Sequence, residues 1–373
     1  MRIRCRVGYP VGMRIVVCHA AIACCLLAGC SPPSPEPAQP AAAPSATTTG
    51  LIPSGVPTTG ARPPTETLPP PAEPQRAPAP GRPPAGRTVP VGVAPEGVAV
   101  DALTRTVAVA TRNPNALVLL DADTGAVKAR TPLPGVVRHL QLAGPGGPVL
   151  VPVESANALV RVDLPGGAAH TQILTGTVPH DAAQAPDGTV FVANELGGTV
   201  AVLRGDAIVR VFTDSVQPAG LAPVGTSVGL LDVRKNDLTV YDTRDLSIVG
   251  STPAGAGPTH LVADRHGRMI AADTRGDAVR VFAPRPQPRE VGSVRQPGGP
   301  YGIAYDATRD RLWVASSGTN EVVGYDMAAA TPREVARIPT VQNPYTVGVD
   351  PLTGRVFVAG VSAGVLQIVE SPA

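Results

Sequence analysis

Pro95-Glu96-Gly97-Val98-Ala99-Val100-Asp101 and Pro344-Tyr345-Thr346-Val347-Gly348-Val349-Asp350 share one pattern: a proline-led step, alternating apolar residues, and a closing aspartate. Between them the step recurs at Val137-Arg138-His139, Pro179-His180-Asp181, Pro218-Ala219-Gly220, Pro258-Thr259-His260 and Pro300-Tyr301-Gly302. Successive steps lie 42, 42, 39, 40, 42 and 44 residues apart. A period near forty, carried by strands with no helical spacing, is the signature of a β-propeller. The sixth unit shows its parts: strands at 302–305, 311–315, 321–325 and 334–338, with polar turns at 306–310 and 316–320. Period-two alternation between Gly, Asp, Asn and Pro punctuation predicts four antiparallel strands per blade. Asp101, Asp187, Asp264, Asp306 and Asp350 recur in register at the inner hairpin turn, as turn chemistry requires. Trp313, the single tryptophan, sits mid-strand and is expected between blades.

The last unit ends after three strands, because 365–369 is followed only by a short tail. Arg87-Thr88-Val89-Pro90-Val91 has the form of the outer strands Arg337-Ile338-Pro339-Thr340-Val341 and Arg130-Thr131-Pro132-Leu133-Pro134. An N-terminal outer strand that completes the last blade would close the ring and remove two open sheet edges. The expected architecture is all-β, a seven-bladed propeller over residues 87–373.

Residues 1–29 are of a different kind. Arg2, Arg4, Arg6 and Arg14 precede an apolar stretch at 15–28, and Met13 offers a second start. The apolar stretch falls short of the roughly 20 residues that span a bilayer and reads as a signal peptide. Leu27-Ala28-Gly29-Cys30 has the form of a bacterial lipobox, which places cleavage before Cys30 and a diacylglycerol upon it. All five cysteines, Cys5, Cys18, Cys24, Cys25 and Cys30, lie at or before that point, so the mature chain can form no internal disulfide. A propeller of this length buries enough core without one.

From 30 to 86 the chain is expected to be a disordered tether. Eighteen of the 56 residues from 31 to 86 are proline, and most others are Ala, Thr, Ser or Gly. Fully extended it would reach roughly 170 Å, at about 3.1 Å per residue. The whole chain carries +2, and setting aside four signal arginines leaves 31 − 4 = 27 basic against 29 acidic residues. With two lysines, Lys128 and Lys235, and no basic run, nucleic-acid binding is excluded. The same balance gives no electrostatic hold on an anionic bilayer, so the membrane partner is engaged through the acyl group on Cys30. A monomer is expected.

In a propeller the inner-strand starts and the loops between second and third strands meet at one mouth of the central channel. That geometry gathers Glu96, Arg138, His139, His180, Asp181, His260, Tyr301 and Tyr345 from the steps, and Asn194, Glu195, Asp273 and Arg275 from the loops, as ligand-binding candidates. Arg112, Glu154, Asp232 and Arg234 occupy corresponding loop positions. Imidazole with carboxylate suits a divalent metal, which would fall to His139, His180 and His260. They come from blades two, three and five without ligand spacing in sequence. Against this stands a plain reading in which the histidines brace neighbouring blades and the acids line a wet channel. No catalytic residue is assigned.

The repeat from Pro95 to Gly125 resembles YVTN/YncE-type propellers. Ala272-Asp273-Thr274-Arg275-Gly276, Val294-Arg295-Gln296, Gly324-Tyr325-Asp326 and Pro339-Thr340-Val341-Gln342 are similar to a family of mycobacterial and related actinobacterial lipoproteins of this architecture. The resemblance implies an extracytoplasmic cell-envelope lipoprotein without an established reaction. Sugar-lactone-hydrolysing and streptogramin-lyase-like propellers share the fold, the latter with a metal-supported His/Glu site, but neither pattern is matched in register. The Gly-His and Trp-Asp marks of WD repeats are absent. The function expected is binding of an envelope protein or a small polar ligand at the channel mouth, without catalysis. The alternative is a metal-dependent lactonase- or lyase-like enzyme at the same place.

Overall fold

The computed structural model describes residues 67–370. The expected signal peptide, Cys30 and the first part of the Pro-rich stretch lie outside the described residues. Within them the chain forms seven four-stranded antiparallel sheets. Blade one runs from Val93–Asp101 to Val127–Pro132 and blade six from Pro300–Asp306 to Arg333–Pro339. Blade seven is built from Pro344–Val349, Val356–Gly360 and Val365–Val369, and Arg87–Pro90 supplies its outer strand. Arg87 faces Ile368 and Val89 faces Leu366 across that closing pair, so the expected N-terminal closure is present.

The middle strands depart from simple alternation. Val149–Val153 and Val190–Asn194 are buried at every position. Each blade packs on both faces, so inward and outward residues alike meet a neighbour. Val107 and Val109 join Phe357 and Ile368 of blade seven, whereas Ala108 and Ala110 join Val149 and Val151 of blade two. A hydrophobic cluster fills each of the seven blade boundaries. Trp313 lies between blades six and seven beside Val347 and Val358, as its mid-strand position predicts.

On the face opposite the mouth, the recurrent aspartates close the inner hairpins. Asp101 accepts from the Thr104 amide, Asp187 from Thr189, Asp264 from His266 and Arg268, Asp306 from Thr308, and Asp350 from Leu352. These side chains take the amides that a tight turn leaves unpaired.

The last part of the expected tether is not a free chain. Residues 67–86 lie along the mouth face as a strap without regular structure. A Pro-rich segment has few amides but a full set of carbonyls, and the propeller presents donors to match. Arg234 donates to the Leu68 carbonyl, Arg275 to Pro70, Gln342 to Ala77 and Asn320 to Pro78. The available amides are met in turn: Gln75 donates to Ser317 Oγ and Ala77 to Asn343 Oδ1. Ala72 and Ala77 are buried. The strap thus crosses blades four, five, six and seven before entering the closing strand.

Candidate functional site

The proline-led steps contain local breaks in strand register. In blades three and five the inner strand slips against its partner between Pro179 and Asp181 and between Pro258 and His260, and blades one, four, six and seven show the same break. Such bulges re-aim side chains at a sheet end. Five aromatic rings from five blades consequently form one arc. His180 lies 4.4 Å from His139, His139 stacks on His260 at 4.4 Å and 16°, His260 meets Tyr301 edge-on at 4.3 Å, and Tyr301 meets Tyr345 at 5.8 Å.

This arc divides the channel. Below it is a cavity of about 390 Å³ walled largely by Val98, Val100, Leu142, Val262, Val347 and Val349. Above it is a small chamber roofed by Pro71, Ala72 and Glu73 of the strap and lined by Arg138, His139, His180, Glu195, His260 and Tyr301. Arg138, His139 and His260 border both spaces and form the partition.

The chamber is strongly polarised. Glu154 and Glu195 occupy corresponding single turns of 3₁₀ helix, Glu154–Ala156 and Glu195–Gly197, in adjacent blades. Between them His180 Nδ1 lies 3.0 Å from Glu154 Oε1 and 3.3 Å from Glu195 Oε2. Arg138 Nε approaches Glu154 Oε1 at 3.3 Å, and Gln217 donates to Glu195 Oε1 at 2.8 Å. Burial opposes a charge on His180, yet the Glu154 hydrogen bond and the Glu195 carboxylate outweigh it and raise its pKa. Burial likewise works to raise Glu154, but His180 and Arg138 hold it below its ordinary value. His260 goes the other way: burial, then His139 and His180, drive its pKa well down, so its ring is neutral at pH 7. Glu96 pairs with Arg112, and burial nevertheless keeps its pKa raised. The arc thus holds one imidazole pushed towards the charged form, His180, and one pushed towards the neutral form, His260.

The residues expected at the mouth divide into four groups. Arg138, His139, His180, Glu195, His260 and Tyr301 line the chamber, while Glu96 stands beside it, and Tyr345 packs on Tyr301. Asp181 faces the cavity below, where it accepts from Gln141 and from the Ala182 and Leu221 amides, an inter-blade brace. Asn194 and Asp273 are fully buried in loop packing. Asn194 donates to Thr175 and Thr199, and Asp273 accepts from the Ala256, Gly257 and Gly276 amides and from Arg280. Arg275 is spent on the strap and on the Ala256 carbonyl. The metal-competent grouping also differs from the expected three histidines. Among the described residues, Glu154, His180 and Glu195 are the set whose ligand atoms converge, within 4.8 Å of one another. His139 and His260 instead spend their ring faces on each other.

Glu73 and Gln141 were not legible as site residues. Glu73 comes from the Pro-rich stretch, which has no periodicity to place it, and Gln141 lies one turn of pattern beyond the step. Glu154 could be found through its repeat equivalence with Glu195: Val153-Glu154-Ser155 and Asn194-Glu195-Leu196 fall at the same point of their units.

The fold and the channel define a seven-bladed β-propeller. No family model matches the chain, and no curated protein sequence matches it. Solved structures do. A chain of a mitotic checkpoint complex superposes with a TM-score of 0.67 at 12% identity, covering 87% of this chain and 99% of the other. A streptogramin B lyase gives 0.63 at 15% identity, covering 78% and 97%. A catalytically inactive virginiamycin B lyase from Staphylococcus aureus, with quinupristin, gives 0.60 at 15%, covering 76% and 98%. At these identities the likeness shows the propeller alone, a frame shared by scaffolds and enzymes.

Proposed function

We propose that this chain is an extracytoplasmic lipoprotein, held to the membrane by an acylated Cys30, whose propeller binds a small polar ligand in the chamber at the channel mouth. The observation that carries the binding reading is the convergence of the partly buried Arg138, Glu154 and Glu195 on the buried His180, with Arg138, His180 and Glu195 lining the chamber under the strap. Charged groups are seldom withdrawn from water without partners or function. Here they face a chamber instead of packing into a solid core. Arg138 offers planar donors to an anionic oxygen, and Tyr301 and His260 offer ring faces to the body of a ligand. Entry requires the strap to lift, because the chamber beneath Pro71, Ala72 and Glu73 has a free volume of only about 20 Å³.

The test is a thermal-shift screen of the purified full chain against small carboxylates, phosphates, sugars and amines. The reading requires compounds whose stabilisation disappears in Arg138→Ala. A screen without such compounds, or one whose hits are indifferent to Arg138, would refute it. Anchoring is tested separately by labelling cells with a radioactive fatty acid: label on the chain and none on Cys30→Ala is the expected outcome.

A second reading, a lyase- or lactonase-like enzyme, draws support from the opposed tuning of His180 and His260. Two imidazoles at one chamber whose pKa values are pushed apart are what general acid–base chemistry uses. Three of the solved structures this chain resembles are lyases. Turnover of a lactone or of quinupristin, lost in both His180→Ala and His260→Ala, would decide in its favour.

A further inference from the structure

We infer that Glu154, His180 and Glu195 form a binding site for one divalent metal ion of the zinc or manganese class, with its open positions facing the chamber. The inference deepens the binding reading above and rests on the chamber being the ligand site. Three ligand atoms, one imidazole nitrogen and two carboxylate oxygens, already lie within 4.8 Å of one another. That donor set fits borderline and hard divalent ions and not the thiophilic ones. It is also the number of protein ligands that leaves room for a water or a substrate atom.

The set is built rather than incidental. Two of its members project from equivalent 3₁₀ turns of neighbouring blades, and the third from the bulged step between them. Glu195 is oriented by a hydrogen bond from Gln217 Nε2, and Glu154 is held by the ion pair with Arg138. Outer partners of this kind fix the direction of metal ligands. The bland alternative is that His180 carries a proton on Nδ1 and bridges the two glutamates. Metal and proton then compete for one place: on binding, the Nδ1 proton leaves to water and the ion takes up the same lone pair.

A second observation points to an occupant of the channel mouth. Among the described residues nothing hydrogen-bonds to His260 Nδ1, although His260 is only 8% exposed. His260 lines the same chamber as His180 and Glu195. A buried ring nitrogen without a partner is costly, and its place at the chamber suits a group absent from the protein itself. A water or ligand oxygen carried by the ion would supply one. His260 is therefore assigned as a positioning residue for what the metal holds, not as a ligand.

The experiment uses the full chain, stripped with chelator, titrated calorimetrically with zinc chloride and with manganese chloride, with bound metal counted by mass spectrometry after gel filtration. The site predicts about one equivalent of one of these ions per chain. Binding should weaken at least about tenfold in Glu154→Gln and in Glu195→Gln and vanish in His180→Ala, while His170→Ala, at the exposed His170–Asp163 pair, leaves it unchanged. Should His180→Ala fail to fold, the two glutamine variants carry the test alone. No saturable binding, or equal binding in both glutamine variants, overturns the inference. A screen ligand that stabilises the stripped and loaded chains equally overturns the claim that the ion's open positions hold the ligand, while leaving the chamber reading intact. Saturable metal binding with no ligand found would instead separate the metal from that reading.

Discussion

His139 and His260, contributed by blades two and five, stack at 4.4 Å with their planes 16° apart and form the floor of the mouth chamber. The contact joins non-adjacent blades, because the inner steps of both present a histidine at the third position. His139 also touches His180, so one ring couples the two sides of the arc. Replacing it should therefore do more than remove a side chain.

His139→Ala joins the chamber to the cavity below. The expected loss is about 0.5–1.5 kcal/mol beyond simple area, as for other stacked ring pairs, and the disappearance of the ligand-induced thermal shift. Urea unfolding followed by a repeat of the ligand screen measures both. Retained stability with retained ligand response would show that the ring is not part of the floor.

Gln367 is fully buried where the ring closes. Its Nε2 donates to the Ala85 and Pro339 carbonyls, and its Oε1 accepts from Val341. Gln367→Ala leaves the Ala85 carbonyl and the Val341 amide unpaired at the junction of blades six and seven with the N-terminal strand, while the Pro339 carbonyl keeps the Ala85 amide. A loss of at least about 2 kcal/mol is expected, since each buried group left unpaired costs about 1–3 kcal/mol. Chemical denaturation checks the size, and faster hydrogen exchange at Arg87–Pro90 checks the place.

Trp313 sits directly across from Gly324, and a Cβ there would lie 2.7 Å from the indole. Gly324→Val should cost about 1–3 kcal/mol through overpacking. As the chain has a single tryptophan, its fluorescence reports the disturbance without labelling. An unshifted emission and an unchanged melting point would contradict the close packing.

Acid should weaken the face opposite the mouth. Burial works to raise Asp350, but the Thr353 hydroxyl and Arg105 hold its pKa low; for Asp310 the same opposition is won by Tyr305 and His266. Asp242 is lowered first by its Arg244 hydrogen bond. Groups with depressed folded pKa stabilise fully above their unfolded value, near 3.9, and lose that contribution as pH falls through the folded pKa. The urea midpoint is expected to hold from pH 7 to about 5 and to fall below about 4. Asp350→Asn should flatten part of that fall.

The blade count, the closing strand and the aspartate turns were legible because each repeats in register. Pro179-His180-Asp181 could be placed at the mouth from spacing alone. Its side-chain directions could not, because the bulge sends His180 to the chamber and Asp181 to the cavity beneath. Asn194 and Asp273 misled for a related reason: loop position gave the right face of the propeller, while hydrogen bonding to their own loops turned them into the packing. The strap was hidden altogether. Proline-rich composition signals an extended chain, and only the donors Arg234, Arg275, Asn320 and Gln342, scattered over four blades, show where it docks.

The central claim is that the channel mouth is a polar chamber roofed by residues of the strap, and histidine labelling tests it most directly. The full chain is treated with diethyl pyrocarbonate and the modification of each histidine followed by mass spectrometry. His139, His180 and His260 should react at least about tenfold more slowly than exposed His170, reflecting an opening step of the kind local unfolding imposes. In a variant with Arg234, Arg275 and Gln342 all changed to Ala, three strap anchors are gone and the chamber histidines should speed up while His170 does not. Chamber histidines that react as fast as His170 in the unaltered chain, or that ignore the loss of the anchors, would contradict the account.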